Sequence, residues 1–100
     1  MASRKSNEPL ERDITTKILK ALRKTGGFWL KTHGSAFTAN QPDIIGCYNG
    51  KYIALEVKRP SARDNLTTGQ FAVLENIKDA LGVAVVVTSV EEALASLEEL

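Results

Sequence analysis

The sequence predicts an α/β domain built on a mixed four-stranded sheet flanked by helices, in the order αβββαβ with a further C-terminal helix. Three features predict it: an apolar stripe at helical spacing near the N-terminus, a strong hairpin signal at Asn49-Gly50, and a β-branched run after a second helical segment. One hundred residues, 43% of them hydrophobic, supply one core and leave no room for a second domain. Residues 1–8 read as a flexible tail and 9–100 as the folded unit.

The first helix is expected over residues 9–24, where Leu10, Ile14, Ile18, Ala21 and Leu22 recur on one face and Gly26-Gly27 supplies a stop. Residues 28–32 read as a strand and 33–41, rich in small and polar residues, as a loop. Two strand-like runs, 43–48 and 51–58, flank Asn49-Gly50, the pair best suited to a two-residue turn with positive φ at both positions. Residues 61–66 form a connection. Thr67 and Gln70 then make a capping box that opens a second helix reaching Leu81, with Gly82 ending it. Residues 83–88 look like a strand buried on both faces, and Ser89 with Glu92 caps a last helix running to about residue 99. A strand, a helix and a second strand in succession favour a parallel crossover, hence a mixed sheet. Phe28, Trp29 and Cys47 are expected in the core.

Cys47 has no partner for an internal disulfide, and no Cys and His stand at zinc spacing, so a metal would need oxygen ligands. No run approaches the roughly 20 apolar residues of a membrane span, and residues 1–8 lack a signal-peptide apolar stretch, so the expectation is a cytoplasmic protein without membrane contact. Net charge is +1, but it is unevenly placed: +7 through Arg63 and −6 from Asp64 onward. The first part suits an anionic partner, although a lopsided solvated surface accounts for the same asymmetry.

With Asn49 and Gly50 as the turn, Asp43 lies opposite Glu56, and alternation puts Ala54 and Lys58 on the same side of the sheet. Two carboxylates about 5 Å apart repel by roughly 3 kcal/mol at an effective dielectric near 20, and a cation would remove that cost. Oxygen ligands around an open position suit Mg²⁺ or Mn²⁺, with the Val57 carbonyl as a further ligand. The alternative is an internal salt bridge in which Lys58, helped by Arg59, neutralises both acids. Glu11 falls within the apolar stripe of helix one and should face the sheet, or else serves as an ordinary first-turn acid favoured by the helix dipole. Gln70 is balanced between capping and site roles. Lys31 and His33 share a face of strand one and could contact phosphate; exposed, solvated side chains are the plainer reading. Nothing suggests an organic cofactor.

Pro42-Asp43, twelve residues, and then Glu56-Val57-Lys58 match a PD…ExK pattern. The surrounding segments are Glu11-x-x-Ile14, Gly27-Phe28-Trp29, Pro42-Asp43-Ile44-Ile45-Gly46, Ala54-Leu55-Glu56-Val57-Lys58-Arg59-Pro60 and Leu66-Thr67-x-x-Gln70. In this order the chain from Glu11 to Val90 resembles a stand-alone VRR-NUC domain of the PD-(D/E)XK nuclease superfamily. The resemblance implies a restriction-endonuclease-like core. It also implies Asp43, Glu56 and the Val57 carbonyl as metal ligands, Glu11 as accessory acid and further metal ligand, Lys58 positioning the attacking water, and Gln70 supporting the site. Asn40 stands where relatives often have glycine, a mild change because Asn tolerates left-handed backbone. Thr15 replaces a glutamine common on the first helix, which removes a polar contact near Glu11.

The expected function is metal-dependent hydrolysis of DNA phosphodiesters, with Lys31, Arg59 and Arg63 gripping the backbone. No helix carries a cluster of base-reading polar residues, so branched DNA such as a Holliday junction is the expected substrate rather than a base sequence. Similarity to stand-alone relatives further implies a homodimer. A DNA-binding module that kept this fold without turnover is the competing reading, and a partner-binding domain using Glu91, Glu92, Glu98 and Glu99 is a third.

Overall fold

Helix α1 (Glu11–Leu22) starts where the Leu10 carbonyl accepts from the Asp13 and Ile14 amides, and its apolar stripe buries Ile14, Ile18 and Leu22. Thr25 then ties the helix end to the sheet, its hydroxyl donating to the Leu22 carbonyl and accepting from the Gly27 amide and the Trp29 indole. The computed structural model describes residues 7–32 and 39–100.

Strand β1 (Phe28–Lys31) pairs antiparallel with β2 (Ile44–Tyr48), which pairs antiparallel with β3 (Lys51–Val57). Asn49 and Gly50 form the turn with φ of 51° and 79°, and the register runs from Tyr48 opposite Lys51 to Ile44 opposite Leu55, as the two-residue turn requires. A 3₁₀ turn (Pro60–Ala62) and helix α2 (Thr68–Asp79) then lead to β4 (Val83–Val87), which is parallel to β3. The result is a mixed sheet of order β1-β2-β3-β4, followed by helix α3 (Val90–Ala95).

Alternation divides the core in two. Trp29, Ile44, Ile53, Leu55, Val57 and Val87 meet α1 and α3 residues on one face; Ala54 and Ala84 meet Leu74 of α2 on the other. The alanines let α2 approach closely, and Gly46 serves a similar purpose in β2, where a Cβ would collide with the Trp29 ring and the Phe28 carbonyl.

Several expectations need correction. Phe28 is 63% exposed and Cys47, its cross-strand partner, is also exposed, whereas Trp29 on the opposite face is buried. Among the described residues helix α2 packs on β4 and around Ala54 and Ile45 and leaves Phe28 and Cys47 in the open, an arrangement residue chemistry does not reveal. Strand β4 is packed on both faces, but only Ala84 and Val87 are fully buried because it is an edge strand.

Helix α2 ends at Asp79. Leu81 takes the left-handed position with φ of 71°, and the Leu81 and Gly82 amides bond back to the Lys78 and Ile77 carbonyls in a Schellman motif. Gly82 instead meets a packing demand, since a Cβ there would press on the Ile77 side chain. Ser89 caps α3 by accepting from the Glu92 amide, but the Glu92 carboxylate turns to Thr88 and Arg63 rather than completing a capping box. Regular helix stops at Ala95, short of the expected length, and gives way to turns. Among the described residues no helix is long and apolar enough to cross a membrane.

Candidate metal centre

One step beyond the last ladder pair, Asp43 comes opposite Glu56 at the open end of the hairpin, on the α2 side of the sheet. The Asp43 carbonyl accepts from the Thr32 amide at 2.9 Å, prolonging the pairing with β1, and the Thr32 hydroxyl donates to the Pro42 carbonyl at 2.7 Å. These bonds fix the Pro-Asp step. The Asp43 carboxylate turns back onto β3, where Oδ2 accepts from the Val57 amide at 2.7 Å.

Glu56 is 2% exposed and Lys58 is 9% exposed, an unusual depth for two charged side chains. The Lys58 Nζ lies 3.9 Å from Glu56 Oε2 and donates to Gln70 Oε1 at 3.2 Å. Gln70 Nε2 donates to Glu56 Oε2 at 3.3 Å. Gln70 also completes the capping box with Thr67, so one side chain both caps α2 and contacts Glu56 and Lys58. Its position in the first turn of α2 joins the helix to the charged cluster.

Burial pushes the Glu56 carboxyl up to about 8, helped by the close approach of Asp43 and, less, by Glu11, with Lys58 opposing the rise. The Lys58–Glu56 contact at 3.9 Å is the ion pair that the internal salt-bridge alternative calls for, and it engages one of the two Glu56 oxygens. Glu56 Oε1 is buried without a hydrogen-bond partner among the described residues. An orphaned buried carboxylate oxygen beside a second carboxylate fits a hard divalent cation, with Asp43, Glu56 and the Val57 carbonyl as donors.

Glu11 enters this neighbourhood from the first turn of α1. Its carboxyl is raised by partial burial and by Asp43, against the lowering influence of Lys58 and Arg59. Among the described residues no three Asp, Glu, His or Cys side chains gather as one metal-ligating group. Thr15 is buried and bonds to the Glu11 carbonyl, taking its hydroxyl away from the acidic side chain. Asn40 has φ of 68°, the left-handed backbone its residue type permits, and its side chain packs against Gly69 at the start of α2.

The cations expected to contact DNA are more dispersed. Lys31 is exposed but pairs with Ile44, so it lies on the α1 side of the sheet, away from Glu56. His33 lies outside the described residues. Arg63 is paired with Glu92 and Thr88. Arg59 faces Glu8 at 3.4 Å, and Glu8, which sequence alone assigns to a flexible tail, also accepts from the Ser61 amide and hydroxyl at 2.7 and 2.6 Å. No local pattern signals that contact between residues 53 apart. Compared with known proteins, the sequence matches no family model and has no significant match among curated proteins.

Proposed function

We propose that this protein is a Mg²⁺- or Mn²⁺-dependent endonuclease that hydrolyses DNA phosphodiester bonds, with a restriction-endonuclease-like core of the VRR-NUC kind. The observation that carries the reading is the pair Asp43 and Glu56: one carboxylate deeply buried with an orphaned oxygen, both at one sheet end, and a buried lysine two residues on. Holding a deeply buried carboxylate beside a half-buried one costs stability in the absence of a cation.

Asp43, Glu56 and the Val57 carbonyl would hold the ion, which when bound supplies charge neutralisation and a more acidic water. Lys58 orients the attacking water and stabilises the negative charge on the phosphoryl oxygens as the bond to the water oxygen forms and the bond to the leaving oxygen breaks, the water's proton passing to solvent and the leaving oxygen taking one up from it. Gln70 holds the Lys58 ammonium in position. Glu11 adds negative charge at the cluster's edge, and Arg59, with Lys31 and Arg63 farther out, engages backbone phosphates. Branched DNA is the proposed substrate, and a homodimer the proposed working unit because cutting two strands of a junction takes two centres.

Labelled four-way junctions, flaps and duplexes incubated with Mg²⁺ or EDTA test the reading. Cleavage that requires metal and disappears in Glu56→Ala is expected. Tight binding with no cleavage under any metal condition would establish the non-catalytic DNA-binding module instead. Sedimentation of the full chain tests the dimer.

A further inference from the structure

We infer that Arg59 and Ser61 form a phosphate subsite beside the candidate metal centre, and that the Glu8 carboxylate occupies it in the free protein as an internal stand-in for a DNA phosphate. Both oxygens of Glu8 are engaged: Oε2 accepts from the Ser61 amide at 2.7 Å, and Oε1 accepts from the Ser61 hydroxyl at 2.6 Å. Arg59 Nε, itself buried and without a hydrogen-bond partner among the described residues, faces Oε1 at 3.4 Å. One backbone donor, one hydroxyl and one guanidinium thus converge on a singly charged group that presents two oxygens. A phosphodiester offers the same charge and the same paired oxygens, and Arg, Ser and backbone amides are the usual donors to DNA phosphate.

The hydrogen bonds from Ser61, aided by Arg59, hold the Glu8 carboxyl below the usual glutamate range, as expected where donors favour an anion. The subsite follows directly on Lys58 in the chain, and Arg59 also acts electrostatically on Glu11, so an anion held here borders the carboxylate cluster. Because Glu8 and a phosphate compete for the same donors, DNA binding displaces Glu8, and the N-terminal segment restrains affinity.

The inference rests on the nuclease reading in requiring that the chain bind DNA, and one set of measurements separates the two. Binding of a fluorescein-labelled four-way junction is followed by anisotropy across salt concentrations, with EDTA present to prevent turnover. Glu8→Ala should tighten binding several-fold and steepen the dependence of log Kd on log salt by about 0.9, the increment for one more phosphate contact. Adding Ser61→Ala to Glu8→Ala should remove the gain, whereas Asp79→Asn, an equal charge change at the far end of α2, should leave the slope as in wild type. Thermal unfolding of each variant establishes that it is folded. Wild-type binding and cleavage with Glu8→Ala indistinguishable from Asp79→Asn overturns the subsite and leaves the nuclease reading standing. Failure of every folded variant and the wild type to bind DNA overturns both.

Discussion

Replacing Glu56 by Gln should stabilise the protein at alkaline pH while abolishing cleavage. The Glu56 carboxyl is raised from 4.5 to about 8. At about 1.4 kcal/mol per pKa unit, the whole shift corresponds to roughly 5 kcal/mol. Relaxation of the site around the ionised carboxylate reduces this, leaving about 2–3 kcal/mol. The sign follows from proton uptake. Between about pH 4.5 and 8 the folded Glu56 binds more proton than the unfolded chain, so its contribution is most favourable below that window, declines through it, and levels off above it. Gln keeps the shape and cannot ionise, so its stability relative to wild type should rise across the same window.

For a chain of this size, about 2–3 kcal/mol moves Tm by roughly 10–20 °C. Circular dichroism melts of both proteins at pH 5, 7 and 8.5 in EDTA give the difference free of the other titrating groups they share. A Tm difference that stays constant with pH, or a Gln variant less stable than wild type at pH 8.5, would refute the view that the carboxylate pair is under electrostatic stress. Retained cleavage by the variant would refute its catalytic role independently.

Mg²⁺ at about 100 times its Kd should stabilise the wild type at pH 8 by about 2.7 kcal/mol, measured as a rise in Tm, with little effect on Glu56→Gln. Gln70→Glu preserves the residue pattern of the capping box but sets a third carboxylate against Glu56, so far-UV dichroism at pH 5 should be unchanged while stability falls more steeply toward pH 8 than in wild type; parallel pH profiles would contradict the contact. Leu81→Gly relieves a left-handed residue that is 79% exposed, and the gain, net of the glycine's entropy, should be about 0.5–1 kcal/mol in urea unfolding. Glu92 is held below the usual glutamate range because bonds from Thr88 and Arg63 outweigh the opposing effect of burial. Its contribution, under about 1 kcal/mol, is therefore present above the unfolded pKa and lost as pH falls through the lower folded value; Glu92→Gln should flatten that acid limb.

Local chemistry in the chain was sufficient for the hairpin, the Thr67–Gln70 cap and the side of the sheet carrying Asp43, Glu56 and Lys58. A two-residue turn sets register by counting, and strand alternation carries that register outward one residue at a time. The apolar stripe of α1 was equally readable, because helical periodicity is a property of neighbouring residues.

Tertiary packing decided the rest. Phe28 and Cys47 are exposed because of where α2 comes down on the sheet, and nothing within β1 or β2 encodes how far a distant helix extends over them. The depth of Glu56, the orphaned oxygen and the double use of Gln70 arise when α2 closes over the end of β3. The engagement of Glu8 with Arg59 and Ser61, and of Arg63 with Glu92, joins residues far apart in sequence. Periodicity and turn chemistry act over a few residues, whereas burial and charge pairing depend on which surfaces meet, and that choice belongs to the folded chain as a whole.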